Sequence, residues 1–369
     1  MNTTVLADED AYDLVITSIN FGINSLTADG CLYDLEAMKY LDLSKEWWCQ
    51  SINDDFGVDG HLYFTTGPIS PFFYYMPAAI AYNKTLTDEN KIDGLEQLVK
   101  DGKWTFDKLK EYTVGKSVDI NGDSKMDEND KYAISGGAND GYMLAGFGEK
   151  MVIRDGNGFK LNMASESMIT KIGELAKYFA EKTTFYDDPL TATFLTMFES
   201  DRAMFISTAM NNLITGYDAV PSAREMKSDY GILPLPKYDE SQESYYTIGQ
   251  PAGPSGVAVP ATCRDAERTS MVMEVMAYYS NNLIRDAAYD RVVKGKAARL
   301  KGSDEMLDIV YSNVFFDVNY VFNFGGTKDI VQNAMRDGAD SYMSDYTAAL
   351  SSAQSALDDY VRMLDDLNK

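Results

Sequence analysis

The chain has 369 residues, enough for two domains, because single hydrophobic cores stop growing at about 250–300 residues. Its 33 Lys and Arg stand against 57 Asp and Glu, a formal net charge of -24, and a surface that acidic repels phosphate backbones and anionic lipid headgroups. Nucleic acid is thereby disfavoured as a partner, and no stretch approaches the roughly 18 consecutive apolar residues of a membrane span.

From the N-terminus, Met1-Asn2-Thr3-Thr4 has neither a charged n-region nor an apolar h-region, so no export signal is expected in the chain as given. Tyr12 to Thr17 reads as a buried strand, and Leu32 to Met38 as a short helix or turn leading to Trp47-Trp48. The three cysteines, Cys31, Cys49 and Cys263, are odd in number and lack CxxC spacing, which suits small buried hydrophobes better than a disulfide framework. His61, the single histidine, leaves no His-ligated zinc site to build and is expected to be structural. Leu62-Tyr63-Phe64 suggests a strand, Pro71 to Pro77 is an aromatic run bracketed by prolines, and Ala78 to Tyr82 is an apolar strand. Helical spacing appears over Leu95 to Val99 and again after Thr105, a suitable N-cap for a helix through Phe106, Leu109 and Tyr112. Trp104, just before that helix, is expected to anchor packing.

Asp119 to Asp130 places oxygen-bearing side chains at loop positions 1, 3, 5, 9 and 12 (Asp119, Asn121, Asp123, Asp127 and Asp130), with the Lys125 carbonyl at position 7. Calcium takes six to eight such oxygens at about 2.3–2.6 Å, so a structural calcium is an expectation here. The pattern departs from the usual loop at position 6, Ser124 in place of glycine, and at position 12, Asp130 in place of glutamate. A solvated turn-rich loop is the plainer alternative. The following Lys131 to Gly137 looks like a strand and turn, which argues against a paired calcium sensor.

Ser167 to Glu181 is an amphipathic helix with Ile169, Ile172, Leu175 and Phe179 on one face, and Thr191 to Glu199 is a further helix before a buried strand, Ala203 to Ile206. Residues 228–260 are rich in Pro, Gly, Tyr and Ser and suggest strands and crossing segments. Helices are expected over Asp265 to Tyr289, Asp304 to Tyr311 and Asp329 to Leu367. Helices alternating with short strands predict an α/β fold in two lobes.

Taken in order, Tyr12-Asp13-Leu14-Val15, Tyr40 to Trp48, Tyr82-Asn83-Lys84, Asp101 to Leu109, the acidic loop and Tyr230 to Tyr238 form a set. This set resembles the family 1 extracellular solute-binding proteins of bacterial ABC importers, of the maltose-binding-protein-like, carbohydrate type. The resemblance implies a periplasmic-binding-protein-like (class II) α/β fold with hinge strands and a C-terminal helical segment. Lobe one would comprise 1–82 and 238–312, and lobe two 83–237 and 313–369. Members normally carry a signal, a lipobox cysteine and a strand, helix and strand before the Tyr-Asp-Leu-Val position. Only eleven residues precede Tyr12, so lobe one is expected to lack its opening β-α-β unit and to leave a sheet edge and apolar surface exposed.

Sugar sites pair aromatic faces with a few placed polar groups. On the resemblance, the cleft candidates are Trp47, Trp48, Tyr63, Thr66, Phe73, Tyr74 and Tyr75 from lobe one or the hinge, and Asn139, Tyr142, Met210 and Asn211 from lobe two. Phe315, Asp317, Tyr320 and Asn323 fall at a third crossing. Core packing is the competing role for each aromatic residue. No GxSxG, HExxH or phosphate-cradling loop is present, and among 57 acidic residues a glycosidase pair can be nominated anywhere. The expectation is a non-catalytic, monomeric subunit, periplasmic or anchored outside the cell as a lipoprotein, that captures an oligosaccharide for ABC permease subunits. A secreted carbohydrate-active enzyme and a ligand-sensing surface lipoprotein are the alternatives.

Overall fold

The computed structural model describes residues 2–137, 141–181, 183–187, 193–216, 222–249 and 255–366. Its strands are β1 (Val15–Ser18), β2 (Ala78–Asn83), β3 (Tyr132–Gly136), β4 (Val152–Asp155), β5 (Gly158–Leu161), β6 (Phe185–Asp187), β7 (Ala203–Ala209), β8 (Tyr230–Leu233), β9 (Thr247–Ile248), β10 (Ser255–Ala258) and β11 (Val314–Phe315).

Five of these form a mixed sheet in the order β6-β3-β7-β2-β8, with β3 parallel to β6 and β7, and β2 antiparallel to β7 and β8. Every residue of β2 and β7 is buried, which is why both read as unbroken apolar runs without the alternation of a half-exposed strand. Trp104, fully buried, anchors this body as the sequence predicts: its indole N–H donates to the Pro234 carbonyl at 2.9 Å. Thr105 caps the following helix, Phe106–Thr113, its hydroxyl accepting from the Lys108 N–H at 3.3 Å.

A second body forms around β1 and β10, which pair antiparallel with Val15 opposite Ala258. Ile19, Ile23, Leu35, Ile52, Phe56 and Phe64 close its core. The other edge of β1 has no strand partner among the described residues, and Ile16 and Phe21 beside it are exposed. All three cysteines are buried here as free thiols.

The chain crosses between the bodies where Pro77 bridges Gly249 and β9 runs parallel to β11. The Thr247 hydroxyl donates to the Ala78 carbonyl at 2.7 Å and ties two crossings together. The long C-terminal helix, Tyr342–Asp366, touches both cores: Tyr342 and Tyr346 join the sheet body, and Leu357, Tyr360 and Leu364 join the β1–β10 body.

Several local expectations change. Leu62 to Phe64 is buried but forms no ladder among the described residues; its neighbours His61 and Thr65 make isolated bridges, to Val58 and Val257. The Pro71–Tyr75 run winds into a 3-10 turn. The helix expected over Asp329 to Leu367 divides at Gly338, whose φ of 114 no helix accommodates. That expected over Asp265 to Tyr289 ends at Arg285 and passes into wider, π-type turns over Asp286–Ala297. Among the described residues, no helix is long and apolar enough to cross a membrane.

Candidate functional site

Parallel strands present ligands at their carboxyl ends, where the backbone turns away and leaves a crevice. Here β3, β6 and β7 end together at Gly136, Asp187 and Ala209, and Ala78 at the start of β2 lies opposite Ala209. The same edge therefore receives the Pro71–Tyr75 turn and the short Met210–Thr215 helix, which touch each other and the Asp286–Ala297 turns. In that helix Met210 is fully buried, Asn211 is half-buried, and the Asn212 amide donates to the Thr208 hydroxyl at 2.9 Å. The Asn212 Oδ1 has no hydrogen-bond partner among the described residues.

At this corner lies a hollow of about 310 Å³, walled by Trp48, Phe73, Tyr74, Tyr289 and Tyr311. Tyr289 packs 5.6 Å from Tyr74 and 4.8 Å from Tyr311, and Phe73 meets Tyr74 edge-on at 5.3 Å. The Tyr311 hydroxyl donates to the Tyr74 carbonyl, which fixes the turn that carries the rings. Polar groups reach the hollow from Glu46, Asn281, Arg285 and Asp308. Burial opposes ionisation of Asp308, but Lys294 and the Tyr289 hydroxyl outweigh it and hold the carboxyl below its usual range. Arg285 has no ion-pair partner among the described residues. The hollow thus offers ring faces, a carboxylate acceptor and a guanidinium donor.

Trp47 and Trp48 are set by one residue distant in sequence. The two oxygens of Glu274 accept from the two indole N–H groups at 3.2 and 3.1 Å. Trp48 thereby turns toward the hollow, whereas Trp47 meets Tyr278 edge-on at 5.3 Å.

The remaining candidates hold other posts. The Tyr63 hydroxyl donates to the Leu364 carbonyl at 2.8 Å and the Thr66 hydroxyl to the Ser255 carbonyl at 2.7 Å. Tyr75 is half-buried beside Phe72, and Tyr142 is buried in the sheet body's core. Phe315 packs near Tyr246. Asp317 caps the Val318–Phe322 helix and accepts from the Met151 N–H. Burial pushes its carboxyl up to about 6. Tyr320 accepts from the Gln332 amide at 3.1 Å and lines a hollow of only about 20 Å³, too small for a sugar. Asn323, left-handed at φ 49, bonds Asp329 and the Lys328 N–H. Asn139 lies outside the described residues. Sequence reasoning missed Tyr289, Tyr311, Arg285, Asp308 and Glu274; the spacing of Arg285 and Tyr289 by four residues was the one signal that they share a face.

A larger groove of about 670 Å³ runs between residues 53–62 and the β4–β5 turn, but its lining, which includes Asn53, Asp54, Asp59, Arg154 and Asn157, has no Trp, Tyr or Phe ring. His61 on its rim pairs with Asp34 at 2.7 Å, the structural role expected of it. In the acidic loop, Asp119 accepts from the Gly122 and Ser124 N–H groups, Asp123 from Lys125, and the fully buried Asp130 from Ile120 and Asp127. Among the described residues, no group of three or more His, Cys, Asp or Glu side chains converges as a metal cage.

Residues 2–283 match the family described as bacterial extracellular solute-binding protein. The chain belongs to that family. No curated protein sequence matches it. Among solved structures it is similar to Mycobacterium tuberculosis UspC, at 14% identity and a TM-score of 0.61, over 96% of this chain and 88% of that one. It is also similar to the galacto-N-biose/lacto-N-biose I-binding protein of a Bifidobacterium longum ABC transporter, in complex with lacto-N-biose (14%, TM-score 0.60, 97% and 85%). A third similar structure is M. tuberculosis UgpB in complex with glycerophosphocholine (14%, TM-score 0.58, 96% and 86%). These likenesses show the two-lobed, periplasmic-binding-protein-like fold of this extracellular solute-binding protein.

Proposed function

We propose that the chain is the solute-capturing subunit of an ABC importer and that it takes a carbohydrate, an oligosaccharide in the first instance, at the corner where the Pro71–Tyr75 turn meets the Asp286–Ala297 turns. The observation that carries this reading is the aromatic hollow with Asp308 and Arg285 at its wall: rings stack on apolar sugar faces while an acceptor and a donor meet the hydroxyls. A volume of about 310 Å³ suits one or two sugar rings within the usual range of ligand sites. Capture would proceed by closure of the lobes about the crossings near Pro77, Gly249 and Phe315. The same reading places the protein outside the cytoplasmic membrane, anchored or periplasmic, as a monomer that delivers to permease subunits.

Calorimetric titration with maltotriose, lacto-N-biose and longer oligosaccharides tests this, with glycerophosphocholine as the competing ligand class. The expected result is saturable binding of a sugar that Phe73→Ala weakens tenfold or more, about 1.4 kcal/mol. Silence with every sugar, or binding of glycerophosphocholine alone, overturns the carbohydrate assignment. Release of reducing sugar on prolonged incubation would favour the enzyme alternative. Calcium at Asp119 to Asp130 is proposed only as a stabiliser of a loop whose amides are already capped by its own side chains.

A further inference from the structure

The wide turns of Asp286–Ala297 border the aromatic hollow, and their winding decides which side chains reach it. Where they end, the Ala298 N–H donates to the Val293 carbonyl five residues back, at 3.3 Å, instead of to the fourth as in an ordinary helix. In an α-helix each residue advances about 100°, so Tyr289 and Lys294, five apart, would point about 140° away from each other. A turn closed at the fifth residue returns Lys294 over Tyr289 instead. The Lys294 ammonium accordingly lies 5.1 Å from the centre of the Tyr289 ring. Both side chains then meet one oxygen of the facing Ser303–Ser312 helix: the Tyr289 hydroxyl donates to Oδ1 of Asp308 at 2.9 Å, and the Lys294 ammonium pairs with the same Oδ1 at 2.5 Å. Tyr289 and Asp308 wall the hollow, whereas Lys294 is not among its lining residues.

We propose that this winding forms the ligand site and that Lys294 is its positioning residue: with Tyr289 it fixes Asp308 through Oδ1, which leaves Oδ2 to accept a ligand hydroxyl. The inference rests on the carbohydrate reading of the hollow. Asp308 is exposed, so packing does not hold its side chain, and its two partners on Oδ1 have to. The same pair keeps the acceptor charged. What burial Asp308 has raises its carboxyl, and Lys294, Tyr289 and, more weakly, Arg285 outweigh it and bring the group below its usual range. Of the other groups nearby, Asp286, Asp290 and Arg291 share the winding and Glu46 lines the same hollow. From the elements packed on the Ser303–Ser312 helix, Lys100 pairs with Glu305, Glu96 accepts from the Tyr82 hydroxyl, and β8 contributes Tyr230. Lys294 is therefore the cation that meets Asp308 directly, and without it burial raises the carboxyl.

The test compares the full chain with its Lys294→Met, Lys294→Arg and Tyr289→Phe variants in calorimetric titrations with maltotriose, lacto-N-biose and glycerophosphocholine, over about pH 4 to pH 8. Lys294→Met is expected to bind sugar about fivefold more weakly near neutral pH, as a charge-assisted contact behind the acceptor is lost. On acidification it should lose binding at a higher pH than the parent chain, because its Asp308 takes up a proton sooner. Lys294→Arg should restore both, since it keeps a cation for Oδ1. Tyr289→Phe keeps the ring and should move both readouts the same way by less, which covers the case in which Lys294→Met does not fold. Unchanged sugar affinity in folded Lys294→Met, or weakening without a shift of the pH profile, overturns the positioning role and leaves the carbohydrate reading standing. Binding of glycerophosphocholine alone, weakened by Lys294→Met with the same pH shift, keeps the positioning role and ends the carbohydrate reading; silence with all three ligands ends both.

Discussion

Glu274 shows what a single residue does here: with one carboxylate it orients two adjacent indoles that local sequence would leave free to point either way. That role was not legible, because the partners lie more than 220 residues apart and nothing local marks the pairing. Trp48, Phe73 and Tyr74 became candidates through the resemblance and their aromatic clustering and do wall the hollow, whereas Tyr63, Thr66 and Asn323, candidates on the same resemblance, have hydrogen-bonded posts in the scaffold. Glu199 makes a prediction at this scale. Its Oε1 is buried without a partner among the described residues, and burial first, then Glu225, pushes its carboxyl up to about 7. A carboxyl raised in the folded state contributes stability that is full below its unfolded value near 4.5 and lost as pH rises through about 7. Glu199→Gln should therefore raise Tm at pH 8 by about 2 °C, roughly 1 kcal/mol once solvent screening is allowed for, and leave it unchanged at pH 4. The acidic loop gives a second test: calcium should raise Tm over that in chelator, and equal melting in both withdraws the metal.

At the scale of elements, β2 and the Phe106–Thr113 helix were legible because each announces itself locally, one by an unbroken apolar run and the other by its cap. The Thr105 cap is worth about 1 kcal/mol, and Thr105→Ala should lower stability by that amount in denaturant titration. Leu62 to Phe64 misleads because burial alone does not make a strand; a ladder partner is needed, and among the described residues only its neighbours His61 and Thr65 find bridges, each isolated. The Ala266–Arg285 helix carries the opposite lesson. It buries Met273 and Ala277 but turns Met271, Val275, Tyr279 and Leu283, one every four residues, outward. Val275→Lys on that face should change stability by no more than about 0.5 kcal/mol and reduce binding of a hydrophobic dye.

For the whole molecule, composition set the right frame of two cores, but not how they are tied. The C-terminal helix was expected to belong to one lobe, and its end instead packs into the core around Tyr63 and Phe56. Such long-range closure has no local sequence signal, since it depends on where the Phe315 to Asp317 crossing delivers the chain. The net charge of -24 is a property of the same scale. Self-repulsion falls as salt shortens the Debye length from about 10 Å at 0.1 M to 3 Å at 1 M, so Tm should rise with sodium chloride over that range. A flat or falling profile would mean that attractive pairs such as Lys150–Asp55 outweigh the net repulsion.

The three tryptophans divide the labour of reporting on all this. Trp104 is sealed in the sheet body, so its emission is a constant background, while Trp48 forms a wall of the aromatic hollow and Trp47 leans on Tyr278 beside it. A ligand taken up in that hollow is expected to shift the Trp48 emission against the Trp104 background, a fluorescence titration that needs neither dye nor label.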